Sequence, residues 1–187
     1  LHGSVIKAIG EGAPPAGCLI TDLGDRIIAP AFINAHTHIA MSAYRGLVSM
    51  EELRGNVVEE VYFRLEEHLM PGDVRAFARM GAYDNALSGV GCVFDHYYFA
   101  NEIVDALLDV GLGGVVAPTL QDGHGPGLDA LESQIEATHQ INNNRTLLEH
   151  GIAAAVGPHA TDTVSDDLLD RCAALCKEHN LPLHIHV

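Results

Sequence analysis

Residues 152–187 read IAAAVGPHATDTVSDDLLDRCAALCKEHNLPLHIHV, and this stretch contains a strand, a helix and a second strand in succession. The short apolar run 152–156 is typical of a buried strand. Ser165 precedes two aspartates and predicts a helix N-terminus, because its hydroxyl can accept from backbone N–H groups that lack a helical partner. Asn180 is a suitable helix end, and 182–187 is a second apolar run. This succession indicates two parallel strands joined by a crossover helix.

The same rhythm extends toward the N-terminus. Further apolar runs predict strands at 31–35, 91–95 and 113–118, and the stretches between them predict helices at 73–88, with Asp73 as its N-cap, at 102–110 and at 129–150. The strands are almost continuously apolar, which is typical of a parallel sheet covered by helices.

An open doubly wound sheet and a closed (β/α)8 barrel both have this pattern. No GxGxxG follows the first strand, so the dinucleotide-binding form of the open sheet lacks its fingerprint. A closed barrel needs eight strands and about 250 residues. Since five strands are predicted, we expect roughly the first five β/α units of a barrel, in a sequence that is truncated or incompletely represented.

The segments outside this rhythm are shorter. Three apolar runs, 5–9, 18–22 and 26–29, are separated by turns rich in Gly and Pro and predict strands. An amphipathic, polar stretch runs from about Glu51 to Met70.

Composition narrows the class of protein. The chain has 187 residues, of which 48% are apolar, and this is enough for one domain with a substantial core. The formal net charge is −15 with only 10 Lys and Arg residues, which argues against nucleic acid and against an anionic membrane surface as partners. No stretch approaches the length of a membrane-spanning apolar run. The four cysteines form no CxxC pair, which favours buried thiols in a reducing, cytoplasmic setting.

Histidines gather at the predicted carboxyl ends of the strands. Read in chain order, these ends carry His36 and His38, Asp95 and His96, Gln121, His159, and His184 and His186. Parallel strands end on the same side of a sheet or barrel, so these side chains should converge on one mouth. Each also has an ordinary structural interpretation, such as a helix cap or a hydrogen bond to backbone. Their convergence favours a shared metal or substrate site.

The pattern His-x-His occurs twice, at 36–38 and at 184–186. Side chains two residues apart on a strand project from the same face, so both imidazoles of a pair can approach one ion. Zinc binds imidazole nitrogen at about 2.0–2.1 Å, and a catalytic zinc site keeps one position for water. In the second pair, spacing alone leaves open which histidine is the ligand and which fills the interior.

Two segments resemble a known family. IIAPAFINAHTHIAMSAYRG, residues 27–46, resembles the first barrel strand of the amidohydrolase superfamily, although Ala31 stands where that family usually has glycine. Residues 157–187 resemble strands four and five of its deaminase and chlorohydrolase branch, which includes the cytosine, guanine, S-adenosylhomocysteine and 8-oxoguanine deaminases and the triazine hydrolases. The resemblance implies a metal-dependent hydrolase barrel from residue 30 to 187, with residues 1–29 as part of a small flanking β-domain.

The resemblance also implies roles for individual residues. It selects His186 over His184 as the strand-five ligand, and it makes His159 the catalytic residue that contacts substrate and polarises the atom under attack. The implied metal ligands are His36, His38 and His186. The resemblance places Asp95 and His96 at a second-strand position that often lines the pocket. Arg45 and Gln121 lie in predicted loops at the strand ends and are expected to bind substrate as well.

Some groups of the family have no counterpart in the sequence. The general acid/base glutamate, a further histidine and an aspartate of the family would lie beyond Val187, so we expect an incomplete catalytic set. Binuclear members bridge two ions with a lysine near strand four, but the only lysines are Lys7 and Lys177. The resemblance therefore implies one divalent ion, with zinc as the first choice and iron as the second, because imidazole suits both.

Together these inferences predict a metal-dependent amidohydrolase that deaminates a small N-heterocycle, such as a purine, pyrimidine, pterin or triazine, with metal-activated water. The same chemistry allows a cyclic amide hydrolase or a chlorohydrolase. A non-catalytic metal-binding or scaffold protein is a further alternative. The family suggests a homodimer, and no nucleic acid or membrane partner is expected.

Overall fold

The structure, a computed structural model, describes residue 2, residues 5–47 and residues 54–187. It divides into two compact units, Leu1–Pro30 and Ala31–Val187. The amphipathic stretch predicted to start near Glu51 begins outside the described residues.

In the N-terminal unit, the described residues from 5 to 30 form no strand, so the three strands predicted there are wrong. Ile9, Leu19 and Ile27 are 90%, 97% and 96% exposed. A strand is stabilised by backbone pairing and by burying one of its faces. The described part of this unit has a single isolated bridge, between His2 and Val5, and its large apolar side chains are exposed. The assignment of residues 1–29 to a small β-domain stays a prediction.

The second unit is built on parallel strands: β1 (Phe32–Thr37), β2 (Val90–Tyr97), β3 (Gly113–Leu120), β4 (Ile152–Ala154) and β5 (Gly157–Pro158). They pair in parallel in the order β1-β2-β3-β4, and β5 pairs with the carboxyl end of β3. The apolar run at 152–156 predicted one strand where β4 and β5 lie.

The C-terminal segment, residues 182–187, is bridged rather than continuously paired. Parallel bridges join Leu183 to Val156 and His186 to Ala160. The segment therefore occupies the position of the predicted fifth strand beside β5, although its hydrogen bonds are too few for a regular strand. The predicted parallel α/β class is confirmed.

Helices lie between the strands. Their bounds are a 3-10 helix at Ile39–Tyr44, a π-helical turn at Val58–Tyr62 that continues into α1 (Phe63–Glu66), α2 (Pro71–Leu87), α3 (Ala100–Val110), a 3-10 turn at Leu128–Ala130, α4 (Leu131–Asn143), α5 (Arg145–Glu149) and α6 (Asp166–His179). The predicted cap of α6 is confirmed, because the Ser165 side chain accepts from the Leu168 N–H. Asn180 ends this helix in the left-handed conformation, with φ of 53°.

Two helix predictions need correction. Asp73 is not the N-cap of α2, because the helix begins at Pro71, and the Asp73 carboxylate instead accepts from the N–H of Met70, the actual cap. The single helix predicted over 129–150 is divided at Asn144, whose side-chain oxygen accepts from the N–H groups that start α5. Asparagine favours such local hydrogen bonds over continuing a helix.

The core between sheet and helices fixes the segment that carries the first histidines. Val93 of β2, Val116 of β3 and Ile103 of α3 are fully buried in one cluster, and each such side chain contributes about 1.5–3 kcal/mol. Gly81 of α2 lies so close to the 3-10 helix that a Cβ there would be 2.1 Å from the carbonyl oxygen of Ile39. Glycine therefore allows α2 to pack directly behind the backbone that follows β1.

Candidate metal centre and substrate cavity

Three histidines from the two ends of the second unit meet at the carboxyl ends of the strands. His36 lies in β1, His38 directly follows it, and His186 lies in the C-terminal segment. We call these three the histidine cluster. The Nε2 atom of His186 is 3.2 Å from Nε2 of His36 and 3.2 Å from Nε2 of His38. All three residues offer a ligand atom within 4.8 Å of the others.

Hydrogen bonds fix the outer nitrogen of each ring. Nδ1 of His38 donates to the carbonyl oxygen of His96, and Nδ1 of His186 donates to the carbonyl oxygen of His159 at 2.7 Å. Nδ1 of His36 lies 2.7 Å from Nε2 of His184. A carbonyl can only accept, so Nδ1 carries the proton in His38 and His186. Their Nε2 atoms are therefore free to act as ligands, which is the usual orientation of metal-binding histidines.

The electrostatics of the cluster match a cation site. Burial lowers the pKa of His38 to about 4 and also lowers the pKa of His186, so both rings are neutral at pH 7. Two neutral rings with protonated Nδ1 atoms then point Nε2 lone pairs at each other across 3.2 Å. Those atoms have no proton to share. Ligands at about 2.05 Å in tetrahedral geometry are about 3.3 Å apart, so the separation fits zinc.

His184 lies beside the cluster, not in it. Its Nε2 faces Nδ1 of His36, and its buried Nδ1 has no hydrogen-bond partner among the described residues. Burial lowers its pKa to about 4.

The neighbouring strand β2 contributes two buried polar side chains. Asp95 is completely buried, and its Oδ2 accepts from the N–H of Ile39 at 2.6 Å, while burial raises its pKa to about 7. The ring of His96 stacks on that of His186 with centroids 5.0 Å apart. Both ring nitrogens of His96 are buried without a partner among the described residues, and burial lowers the pKa of His96 well below 6.5. Asp95 thus anchors the backbone after His38, and His96 packs against the His186 ring of the cluster.

A cavity of about 570 Å³ opens over the cluster. His96 and His159 line it, together with the cluster histidines. Nδ1 of His159 lies 2.8 Å from the hydroxyl of Thr163, and burial lowers the pKa of His159 to about 4. The volume of the cavity is ordinary for a pocket that holds a small ligand.

Three of the four predicted substrate-binding residues, Gln121, Arg45 and Asp95, do not line this cavity. Gln121 is fully buried; its Oε1 accepts from the Tyr98 hydroxyl and from the Gly127 N–H, and its Nε2 donates to the His124 carbonyl. Its polar atoms therefore hold the glycine-rich loop. Arg45 forms an exposed ion pair with Asp84 at 2.9 Å and borders a smaller, separate pocket. Asp95 likewise acts on the backbone and lies outside the cavity lining.

A buried carboxylate in the cavity wall, Glu66, was not predicted from the sequence. Glu66 is only 9% exposed, and its Oε1 accepts from the hydroxyl of Tyr97 at 2.9 Å. Burial raises the pKa of Glu66 to about 7. Helical spacing offers a signal, because Glu66 follows Tyr62 by four residues and Phe63 by three and so lies on their apolar face.

A family model described as "Amidohydrolase family" matches residues 27–187. The chain belongs to the amidohydrolase family. This amidohydrolase is 30% identical to a 5′-deoxyadenosine deaminase of Methanothrix thermoacetophila over all of its own length and 43% of the relative. It is also 32% identical to a 5-methylthioadenosine/S-adenosylhomocysteine deaminase of Symbiobacterium thermophilum, over 95% of this chain and 40% of the relative. The chain thus spans less than half the length of these curated relatives.

A solved structure shows the same fold. An adenosine deaminase from Xanthomonas campestris with bound zinc superposes with a TM-score of 0.72 at 24% identity, over 84% of this amidohydrolase and 36% of the neighbour. The resemblance to the amidohydrolase superfamily and the predicted (β/α)8 barrel type are confirmed. Within the described residues, no helix combines the length and the apolar character needed to cross a membrane.

Proposed function

We propose that the histidine cluster is the metal site of a hydrolytic deaminase that acts on a small N-heterocycle. One observation carries this proposal: three Nε2 atoms converge while hydrogen bonds hold the outer ring nitrogens. Zinc is the ion we expect, with iron as the alternative, since neutral imidazole suits both. When bound, such an ion supplies hydroxide at neutral pH by lowering the pKa of water toward about 7.

His159 is proposed as the catalytic residue that stabilises negative charge on the substrate. That role requires a proton on Nε2. The single proton of the Thr163 hydroxyl has two acceptors within reach, the Ala160 carbonyl oxygen at 3.2 Å and Nδ1 of His159 at 2.8 Å. Donation to Nδ1 gives the required arrangement, because the neutral ring then carries its proton on Nε2. A preorganised donor of this kind contributes most to a reaction when it faces charge that develops in the transition state.

The remaining predicted residues are proposed to act at different depths. His96, which lines the cavity and has two unpartnered ring nitrogens, is the one we propose to contact substrate directly. Asp95 positions the backbone after His38, and Gln121 shapes the loop from behind. Arg45 borders the smaller pocket, outside the lining of the cavity over the cluster.

Adenine nucleosides are the first substrates to test, because the relatives are named as deaminases of 5′-deoxyadenosine and of 5-methylthioadenosine and S-adenosylhomocysteine. A cavity of about 570 Å³ has room for a ligand of this kind. The net charge of −15 makes nucleic acid and anionic membranes poor partners, and the free cysteines support a reducing, cytoplasmic location. A homodimer is proposed only because the family resemblance implies one.

The test uses the protein encoded by the complete reading frame that contains this sequence. We expect one equivalent of zinc or iron, release of ammonia from an adenine nucleoside, and loss of both after chelation. The His38→Ala variant should lose both properties. His150→Ala, which replaces an exposed histidine away from the cluster, serves as the matched control and should retain them.

Other outcomes separate the alternatives. Release of chloride from a chlorotriazine, or opening of a cyclic amide, without ammonia from any heterocycle would replace the deaminase assignment by one of its two chemical relatives. Metal binding with no hydrolysis of any of these compounds would favour a metal-binding or scaffold protein. Failure of His38→Ala to change metal content would remove the basis of the proposal.

A further inference from the structure

The glycine-rich loop, residues 122–127, is joined to the segment that carries His159. The loop follows β3, and the His159 turn, residues 159–165, follows β5, which pairs in parallel with β3. The N–H of His159 donates to the carbonyl oxygen of Leu120 at 3.0 Å, so the two segments leave the sheet side by side. The loop therefore lies where its contacts can hold the turn in place.

Two backbone groups of the loop hold the carbonyl oxygen of Thr163. The N–H of Gly123 donates to it at 3.2 Å, and the N–H of His124 donates to it at 3.3 Å. Thr163 is only 4% exposed, so its carbonyl depends on donors from the protein. A Cβ on Gly123 would be 3.1 Å from the same oxygen, which is closer than ordinary van der Waals contact. Glycine at position 123 therefore allows the loop to approach the turn this closely.

Asp122 ties the loop to the far end of the turn. Its Oδ1 accepts from the N–H of Ser165 at 2.7 Å, and its Oδ2 accepts from the hydroxyl of Ser165. The oxygen of that hydroxyl accepts from the N–H of Leu168 and so caps α6. Hydrogen bonds to a carboxylate are stronger than those between neutral groups. Asp122 and α6 together therefore hold the residue at which the turn ends.

The side chain of Thr163 connects this backbone to the His159 ring. The N–H of Thr163 donates to the Ala160 carbonyl oxygen at 3.1 Å, and the loop holds the Thr163 carbonyl, so the backbone of Thr163 is held on both sides. A β-branched side chain has few rotamers available on such a backbone. The Ala160 carbonyl already has the backbone N–H as its donor, and Nδ1 of His159 is the nearer acceptor of the hydroxyl proton. This arrangement favours donation to Nδ1.

A second route from the loop to His159 passes through an aromatic side chain. The ring centroid of Phe63, which is 4% exposed, lies 5.5 Å from that of His124 and 5.6 Å from that of His159. Phe63 and His159 both line the cavity, whereas Asp122 and Gly123 lie outside its lining. The loop thus contacts two neighbours of the His159 ring from outside the cavity.

We propose that Asp122 and the glycine-rich loop form a positioning element for His159: they hold the Thr163 backbone so that its hydroxyl donates to Nδ1 and the ring keeps its proton on Nε2. This inference rests on the proposed function, because His159 is the catalytic residue proposed there. A neutral imidazole donates from only one nitrogen, so the other tautomer has no proton on Nε2 to offer to the substrate. Weakening the element should therefore slow the reaction of bound substrate more than it weakens binding.

The experiment uses the zinc-loaded protein from the complete reading frame, labelled with nitrogen-15 in its histidines. NMR then reports which nitrogen of the His159 ring carries the proton, and the signals lost in His159→Gln assign the ring. Initial rates of ammonia release from 5′-deoxyadenosine give kcat and KM separately. Thermal melting checks that each variant is folded.

The first variants address the hydrogen bonds. In the wild-type protein we expect the His159 proton on Nε2. Thr163→Val removes the hydroxyl at nearly constant shape; it should move part of the proton to Nδ1 and lower kcat by at least about tenfold, with KM changed by less than about twofold. Asp122→Ala should act in the same direction and lower kcat by about three- to tenfold. Asp122→Asn can still accept from the Ser165 N–H and donate to its hydroxyl oxygen, so it should restore most of both properties.

A further variant addresses the close approach. Gly123→Ala places a methyl group against the Thr163 carbonyl and should resemble Asp122→Ala. Gly72→Ala is its matched control, because a Cβ there would meet nothing within 4 Å. Asp129→Ala, which replaces an exposed aspartate in the 3-10 turn after the loop, is the control for Asp122. Both controls should match the wild-type protein.

Three results would overturn the proposal: a wild-type His159 ring with its proton on Nδ1, an Asp122→Ala protein whose His159 signals and kcat equal those of the wild type, or equal losses for Asp122→Ala and Asp122→Asn. A His159 proton that shifts in Asp122→Ala, in a protein that releases no ammonia, would contradict the proposed function alone. Ammonia release with a His159 ring that does not respond to Asp122→Ala would contradict this inference alone.

Discussion

The two His-x-His motifs have the same spacing but place their rings differently. In the first, His36 and His38 both direct Nε2 toward the cluster. In the second, only His186 does so, and His184 instead faces the outer nitrogen of His36 at 2.7 Å. Two motifs of equal spacing therefore contribute differently. The first contributes both of its rings to the cluster, and the second contributes only His186, with His184 beside it.

The backbone explains this difference. Side chains two residues apart on a strand lie on the same face, about 6.6 Å apart along its axis, so the local backbone decides whether both rings turn toward one point. In the first motif, β1 has a register irregularity between Asn34 and Thr37 and ends before His38. The second motif stays extended, and a parallel bridge holds His186 level with Ala160. His184 thus lies two residues before His186 along this segment, farther from its carboxyl end.

The largest expected effect distinguishes the two histidines of the second motif. His186→Ala should raise the zinc dissociation constant by more than about 100-fold, whereas His184→Ala, which removes only the partner of His36, should raise it by about 10–100-fold. His184→Gln should recover part of that loss, since its amide oxygen can accept the Nδ1 proton of His36. Competition titration with a chromogenic chelator measures all three. Equal losses for the two alanine variants would break the comparison.

The second-largest expected effect is a change of stability with pH, which tests the burial of His38 in the first motif. The pKa of His38 is about 4 in the folded protein, lowered from 6.5 by burial. Between these values the unfolded chain binds a proton that the folded chain does not, so stability falls as pH decreases. Metal-free wild-type protein should lose up to about 3 kcal/mol more than His38→Gln between pH 7 and pH 4. The difference between the two proteins cancels the opposite contributions of Asp95 and Glu66, whose pKa values are raised to about 7.

Urea unfolding at several pH values supplies the measurement. His150→Gln is the control, and its pH dependence should match that of the wild-type protein. Parallel curves for wild-type protein and His38→Gln would mean that burial does not keep the His38 ring neutral.

A smaller effect concerns the backbone that ends the first motif. Asp95→Ala leaves the buried N–H of Ile39 without its acceptor, and this should lower the free energy of unfolding by about 1–3 kcal/mol. Asp95→Asn keeps an oxygen in place and should cost less. Denaturant titration at pH 7 compares them. If both variants lose the same amount, the hydrogen bond to Ile39 is not what Asp95 contributes.

The smallest effect is expected at the edge of the same motif. Arg45→Ala removes an exposed ion pair with Asp84, whose side chains are 71% and 43% exposed. Such pairs contribute at most about 1 kcal/mol, so stability should change little and zinc affinity should not change. A tenfold loss of zinc affinity would show that Arg45 supports the cluster after all.

Local sequence patterns predicted most of the fold. The apolar runs at 91–95 and 113–118 lie within β2 and β3. Helix α6 begins after Ser165 and ends at Asn180, as expected. These predictions succeeded because caps and apolar runs depend on near neighbours in the chain. The strands predicted before residue 30 failed because a strand needs partners, and nothing in its own residues supplies them.

Sequence by itself determined which strand ends carry histidines and on which face their side chains lie, because alternation along a strand depends only on position in the chain. It also determined that His36 and His38 belong together. Only the tertiary structure decided the partners: which carbonyl oxygens hold the outer nitrogens, that His184 faces His36, and that Glu66 reaches the cavity. Those facts depend on atoms that are distant in sequence, and packing alone brings them within reach.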